Sequence, residues 1–404
     1  MTFVHRAAII GTGFIGPVHL EALRRIGVEV AAIIGSSPEK SRVACERFGV
    51  VGPHRTFEDV IADSTIDVVH ITTPNHLHHR QALAVVAADK HVVCEKPLAL
   101  TTAQCEELLS AARQQNVLAA VAHNIRFYPL CHEAAHRVRS GSIGRPLHVH
   151  GGYVQDWLLR DTDFNWRVQD DAGGKLRAVA DIGTHWMDLI QFICGQSIVR
   201  VCANLQTVHP TRKAPVGDSQ TFSGVTDNAP TRPVEITTED AAAVMFELDG
   251  GAMGTFLVSQ TTAGRKNCLR FEIAGSENAL SFCSERPNEL WIGHRENPNE
   301  SLIRDPALMS EAAAAITNYP GGHNEGFPDT FKQLFANFYA ALEAFEANSR
   351  RAPSRSDPSS VADSVGGYPT FADGWKEVAL CEAILQSHQD RRWVDVPTLA
   401  GNNR

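Results

Sequence analysis

The strongest constraint on how this chain can fold is an alternation in its first 125 residues. Five short apolar runs, at 7–10, 28–34, 67–72, 91–95 and 117–123, are separated by helically patterned stretches at 15–26, 38–48, 76–88 and 102–115. Runs that are apolar almost without interruption mark strands covered on both faces, as in a parallel sheet. Strands spaced by helices of that length build βαβ units. The expected class is α/β.

The texture changes after Pro129. A helix is expected at 129–140, followed by alternating stretches at 147–154, 241–248, 251–260, 267–275 and 279–285 with Gly-rich turns between them. Alternation with close turns predicts an open, mainly antiparallel sheet, with helices on one face and the other left for a partner subunit. Residues 126–404 are thus expected to form an α+β domain for substrate binding and oligomerisation. Further helices are expected at 328–345 and 375–389, the last placed to pack back on the first domain, before a short strand in WVDVP. Segments 209–234 and 350–372, rich in Pro, Ser, Thr, Asp and Gly, read as loops.

Composition removes several classes of partner. A net charge of −9, without clustered Lys and Arg, gives no attraction to nucleic acid or to an anionic membrane. No apolar run is long enough to span a bilayer, and MTFVHRAAII enters a strand without the apolar core of a signal peptide. The nine cysteines are never spaced as C-x-x-C, which argues against a disulfide framework or a zinc knuckle and fits a reducing cytoplasm.

Between the first strand and the first helix lies Gly11-Thr12-Gly13-Phe14-Ile15-Gly16. Glycines at this spacing permit a tight turn, the approach of a pyrophosphate and close helix–strand packing, while the helix N-terminus offers N–H groups to the anion. Residues 1–125 are therefore expected to be a Rossmann dinucleotide-binding domain. A carboxylate ending the second strand would select NAD. Ser36 and Ser37 stand there instead, with Lys40 and Arg42 nearby to meet a 2′-phosphate, so NAD or NADP is expected with a lean to NADP. In the alternative, Ser37 caps the next helix and the basic side chains are solvated.

Ligands of open α/β sheets bind outside the carboxyl ends of the strands. Two such ends carry Thr73-Pro74-Asn75 and Glu95-Lys96-Pro97. Lys96 there could donate to a substrate oxygen and lower the pKa of a neighbouring base, or it could form a surface pair with Glu95. Later in the chain, Asp181 and His185 stand four apart, a spacing that shares a helix face. Histidine suits proton transfer near neutrality, and a carboxylate beside it would orient the ring.

Taken in order, Gly11-x-Gly13-x-x-Gly16, Thr73-Pro74-Asn75-x-x-His78, Lys90-His91-Val92-x-x-Glu95-Lys96-Pro97 and Asp181-x-Gly183-x-His185 resemble the Gfo/Idh/MocA family, that of glucose–fructose oxidoreductase and inositol dehydrogenase. Asp89 departs from the family's usual glycine, in a turn. The resemblance implies an NAD(P)-dependent dehydrogenase that moves a hydride between nicotinamide and a carbon bearing a hydroxyl. It implies Lys96, Asp181 and His185 as the catalytic trio, all three also touching substrate. Gly11, Gly13, Phe14, Ile15, Gly16, Ser36, Ser37, Lys40, Thr73, Pro74, Asn75, His78, Glu95 and Lys96 would line the cofactor. No metal is required by that scheme, although His76, His78 and His79 cluster in sequence.

Further candidates for a polyhydroxylated substrate are Arg126, Tyr153, Trp157, Trp166 and His323. Aromatic faces stack on sugar C–H surfaces and Arg donates to hydroxyls; packing is the alternative for the 153–167 segment. The expected substrate is a sugar, a sugar derivative or a cyclic polyol, handled by a cytoplasmic homodimer or homotetramer. Two rival functions stay open: an NAD-dependent redox glycosidase and a non-catalytic dinucleotide-binding sensor.

Overall fold

The computed structural model describes residues 3–216, 230–351 and 367–399. It divides into two compact units, Met1–Asn124 with Pro328–Val378, and Ile125–Phe327 with Ala379–Arg404.

The first unit holds strands β1 (Arg6–Ile10), β2 (Glu29–Ile34), β3 (Val68–Ile71), β4 (His91–Cys94) and β5 (Ala119–Val121) in a parallel sheet of order β2-β1-β3-β4-β5. The expected helices follow at Ile15–Arg25, Pro38–Phe48, Asn75–Ala87 and Thr102–Gln115. Their boundaries have local causes: Ser37 and Thr101 accept from the backbone N–H three residues on, and Gly49 and Asn116 end two helices in the left-handed conformation. A further short helix, Phe57–Ala62, opens with a capping box between Thr56 and Asp59. It is too short for its periodicity to stand out in the sequence.

The helix Phe327–Arg351 belongs, from Pro328 on, to this first unit rather than to the one following in sequence. Phe331, Phe335, Phe338, Tyr339 and Leu342 form a buried stripe along it, and Phe335 stacks edge-on against His19 and His70 at 4.7 and 4.8 Å between ring centres. Residues 369–370 run beside β5, where Val121 N donates to Pro369 O at 2.9 Å and Ala120 bridges Thr370. The division of units then falls inside the helix Phe371–Asp390. Sequence order alone had assigned all of 126–404 to one domain; the apolar stripe of 331–342 is what draws this return segment back.

In the second unit, nine strands form one sheet: β6 (Pro146–Val154), β7 (Ile198–Gln206), β10 (Ala241–Leu248), β11 (Met253–Ser259), β12 (Cys268–Gly275), β13 (Ala279–Cys283), β14 (Glu289–Gly293), β15 (Glu300–Ile303) and β16 (Val394–Asp395). Its order is β15-β14-β13-β12-β6-β11-β10-β7-β16, antiparallel throughout except where β6 lies parallel to β11. One face buries Val149, Val244, Phe246, Phe256, Leu269, Phe271 and Phe282 with Trp186, Met187 and Ile190 of the helix Thr184–Cys194. The other face leaves Met245, Met253, Leu257 and Trp291 exposed.

Strands β8 (Thr211–Pro215) and β9 (Thr231–Glu235) pair antiparallel where a loop was expected. The inward residues of β8 are the fully buried Arg212 and the small Ala214, so no apolar alternation announces the strand. The rest of the loops expected at 209–234 and 350–372, residues 217–229 and 352–366, lies outside the described residues.

Candidate active site

The glycine loop after β1 divides its three roles clearly. Gly11 has φ +124°, and a Cβ there would stand 2.5 Å from Thr72 O; at Gly16 it would stand 2.1 Å from Gly11 O. Both positions are closed by backbone contact. At Gly13, by contrast, an added Cβ would meet nothing within 4 Å. The middle glycine thus keeps open the side from which a pyrophosphate reaches the N-terminus of the helix Ile15–Arg25. The N-cap, Phe14, has no side-chain acceptor to compete with an anion for the first-turn N–H groups. These residues fit a dinucleotide.

At the end of β2, Ser37 caps its helix by accepting from Lys40 N at 3.2 Å. The Arg42 guanidinium lies between Glu39 and Glu46 at 2.6 Å from each. Ser36 and Lys40 are exposed. Of the residues that suggested a 2′-phosphate, Ser37 and Arg42 are thus engaged within their own helix.

The two strand ends on the other side of β1 are clamped together by His78. Its ring nitrogens stand 2.7 Å from Pro97 O and 2.9 Å from Thr73 O, which joins the Thr73-Pro74-Asn75 turn to the Lys96–Pro97 turn, whose peptide bond is cis. Burial lowers the pKa of His78, against the pull of those two carbonyls. Glu95 is not a surface partner for Lys96. Its side chain is buried, with Oε1 3.0 Å from His19 Nε2, while Oε2 accepts from Lys96 N at 3.2 Å. Burial pushes its pKa up, but the His19 hydrogen bond and the charges of His19, Lys96 and His78 outweigh that and hold it below the ordinary carboxylate value. The Lys96 side chain, half-buried, leaves β4 from this anchored position.

In the second unit Asp181 lies in a single π-helical turn, Val179–Gly183, running directly into the helix that carries His185. Such turns recur at functional sites because the extra residue re-aims a side chain. Both Asp181 oxygens are addressed: Gln260 Nε2 donates to Oδ2 at 2.8 Å, and Arg167 Nε stands 3.5 Å from Oδ1. His185 is 8 % exposed, and the Tyr153 ring centre lies 6.3 Å from its own. Tyr153 is fixed in turn by its hydroxyl, which donates to Asn267 Oδ1 at 2.6 Å. Arg167 lies over the Trp166 ring at 4.4 Å and near that of Trp157 at 6.0 Å. Of the proposed substrate residues, Tyr153, Trp157, Trp166, Asp181 and His185 are therefore linked in one neighbourhood.

Two candidates are engaged elsewhere. Arg126 grips the buried Asp188 carboxylate with two nitrogens, Nε at 2.6 Å from Oδ2, which braces the helix one turn beyond His185. His323 is exposed, its Nδ1 3.4 Å from Gly321 O, and its loop is pinned by Arg304, which pairs with the buried Glu325 at 3.0 Å.

Behind the π-turn lies a buried charge cluster that sequence reading missed. Arg177 and Arg212 both reach Asp240 Oδ1 at 2.5 Å. Burial would raise the Asp240 pKa, but the two guanidinium groups hold it down. Glu239 accepts from the N–H groups of Arg177 and Val179 at 2.9 to 3.0 Å, and burial nevertheless pushes its pKa up to about 7. Arg212 also donates to the carbonyls of Leu158, Arg160 and Asp163, tying down the 153–167 segment. Gln260 N donates to Asp240 O at 3.0 Å, so one cluster orients both the start of the Asp181 turn and its Gln260 partner. A buried charge group of this kind adds little net stability but fixes geometry. Its one sequence signal is Glu239-Asp240 placed directly before an apolar strand.

Comparison with known proteins places these features in a family. Residues 5–123 match the oxidoreductase family with NAD-binding Rossmann fold, and residues 131–281 match the GFO/IDH/MocA C-terminal domain. Levoglucosan dehydrogenase of Pseudarthrobacter phenanthrenivorans is 30% identical over 403 residues, covering 97% of this chain and 98% of the relative. The 1,5-anhydro-D-fructose reductase of Ensifer adhaerens is 33% identical over 317 residues, covering 75% of this chain and 84% of its own. Among solved structures, levoglucosan dehydrogenase in complex with NADH and levoglucosan superposes with a TM-score of 0.82 at 28% identity, covering 98% of this chain and 100% of the other. An inositol dehydrogenase homolog from Azotobacter vinelandii, complexed with NADH and myo-inositol, gives 0.82 at 25% identity, covering 97% and 98%. The chain belongs to the Gfo/Idh/MocA oxidoreductase family, and its open glycine loop lies within the residues that match that family's NAD-binding Rossmann fold.

Proposed function

We propose that this protein is an NAD-dependent dehydrogenase that oxidises a hydroxyl of a sugar, an anhydrosugar or a cyclic polyol, or reduces the matching ketone. The observation that carries this reading is the Asp181 carboxylate, held by Gln260 and Arg167 on the turn that leads into His185. His185 takes the hydroxyl proton. Asp181 orients the ring or binds a neighbouring hydroxyl, and Lys96 holds the substrate oxygen and favours the neutral form of the histidine. Tyr153, Trp157 and Trp166 offer aromatic surface to the C–H face of a ring. What a bound nicotinamide supplies is the hydride acceptor. NAD is the preferred cofactor, because Ser37 and Arg42 are engaged within their own helix; complexes of the relatives with NADH support the same choice.

The protein acts in the cytoplasm, which suits its nine free thiols, and among the described residues no helix is long and apolar enough to cross a membrane. It assembles as a homodimer or homotetramer through the sheet face that exposes Met245, Met253, Leu257 and Trp291. Light scattering on the purified protein tests the assembly. A nicotinamide absorbance assay tests the activity, with NAD and NADP in parallel against anhydrosugars, inositols, aldoses and glycosides, and with free sugar measured in the same wells. Reduction of NAD by one substrate class is the expected result. Sugar release without net reduction would replace it by a redox glycosidase, and tight dinucleotide binding with silence in both assays by a sensor.

A further inference from the structure

The antiparallel pair β12 and β13 brings together a group that the dehydrogenase reading does not use. Its register places Arg270 opposite Cys283, so Cys268, two residues earlier, lies diagonally across from Cys283, within side-chain reach. Their sulfurs are 3.9 Å apart. With a Glu285 carboxylate oxygen, all three donor atoms lie within 4.8 Å of one another, the one such group among the described residues.

We propose that Cys268, Cys283 and Glu285 form a binding site for a single thiophilic divalent cation such as zinc. A tetrahedral zinc ion with bonds of about 2.3 Å to sulfur holds two thiolates about 3.8 Å apart. The observed separation therefore needs no rearrangement of the strands, and it is too long for a bonded pair of sulfurs. Two thiolates and a carboxylate are a soft, strongly anionic set that suits zinc over calcium or magnesium. Within the single chain Cys268 is buried while Cys283 and Glu285 are less enclosed, which leaves the fourth position to water. Arg265 holds Glu285 at 2.5 Å from the exposed side, the kind of outer partner that orients a ligating carboxylate. Binding forms two metal–sulfur bonds and releases two thiol protons to solvent. The site also borders Asn267, which accepts from Tyr153 and Gln155, so an ion there ties down the strand end that positions the Tyr153 ring.

The probe is cobalt(II) chloride, titrated without oxygen into the reduced, chelator-treated full chain. One equivalent per chain should produce the near-ultraviolet thiolate-to-cobalt absorbance and be displaced by zinc. Cys283→Ser should lose the band, and Glu285→Gln should weaken binding roughly tenfold, while both variants keep the circular dichroism and NADH affinity of the parent chain. Absence of the band in the parent chain, or its full retention in Cys283→Ser, overturns the proposal. Neither readout depends on turnover, so the result stands apart from the fate of the dehydrogenase assignment.

Discussion

Each unit of the molecule holds a carboxylate close to a histidine in sequence or in space, and the two arrangements differ in what they leave to a ligand. In the first unit Glu95, His19, His70 and Tyr339 form a closed chain: Tyr339 OH stands 3.1 Å from His70 Nε2, His70 Nδ1 3.1 Å from His19 Nδ1, and His19 Nε2 3.0 Å from Glu95. A single direction of donation, from the Tyr339 hydroxyl through both rings, can satisfy every link and end on the carboxylate. Nothing in it is spare, and His19 and His70 are wholly buried. In the second unit Asp181 keeps 17 % of its side chain exposed and His185 keeps 8 %, while the groups that steady them stand behind. A carboxylate–histidine pair alone thus does not mark a reacting site. Saturation and burial separate the scaffold from the machinery.

The hardest test of that distinction is removal of the groups assigned to the chemistry. His185→Ala and Lys96→Ala should each lower kcat by about 100-fold to 10,000-fold, the span of general acid–base catalysis, with NADH affinity and melting temperature retained. Turnover close to that of the parent in either variant would break the assignment. Within the cofactor loop, Gly16→Ala should disturb folding itself, since its Cβ would lie 2.1 Å from Gly11 O, whereas Gly13→Ala should fold normally and lose only dinucleotide affinity. Equal loss of melting temperature in both would show that the openness at Gly13 has no connection with the ligand.

The same contrast explains what could be read from the residues alone. The parallel sheet was legible because each strand is apolar and two of the crossover helices open on a Ser or Thr cap, and the glycine loop because its spacing follows from sterics. Asp181 and His185 were legible as a local pair four residues apart. Gln260 was not, because it meets Asp181 from the end of β11, 79 residues away in sequence. Arg126 and His323 looked like substrate groups by type, but pairing with Asp188 and exposure beside Gly321 are tertiary facts. The return of 328–351 to the first unit was hidden for a similar reason: an amphipathic stripe says that a helix is covered, not by what.

Gln260 supplies the next test, of middle size. Its amide reaches Asp181 and its side chain is fully buried, so it acts through the carboxylate as a positioning residue. Gln260→Ala should reduce kcat by up to about 100-fold, the cost of a misplacement near 1 Å, with KM for the cofactor unchanged. Gln260→Asn should recover part of the loss only if orientation is what matters. A purely structural role would instead lower the melting temperature of both variants and leave kcat of the folded fraction intact.

The smallest effect concerns the closed chain, and it is one of stability. His19→Leu should leave Glu95 buried without its partner and lower stability by about 1–3 kcal/mol, the cost of an unsatisfied buried polar group. The chain also sets a pH response. Burial and the neighbouring His19 hold the His70 pKa well below 6.5, and burial pushes His91 in the same unit down to about 4. Unfolded, both would take up a proton below their ordinary value of 6.5; folded, they resist it, so the unfolded state binds more protons and stability falls as the pH drops from about 6.5. Glu95 acts in the same direction lower down: held below its ordinary 4.5, it stabilises the fold above that value and ceases to do so as the pH falls through its folded pKa. Glu239 of the second unit, pushed up to about 7, acts in the opposite direction over the same span, so the decline across pH 7 to 4 belongs to the first unit, and in His19→Leu it should start from a lower melting temperature while kcat near neutrality stays at the parent level. A loss of kcat in that variant without a loss of stability would move the closed chain from scaffold to machinery and undo the separation between the two carboxylate–histidine groups.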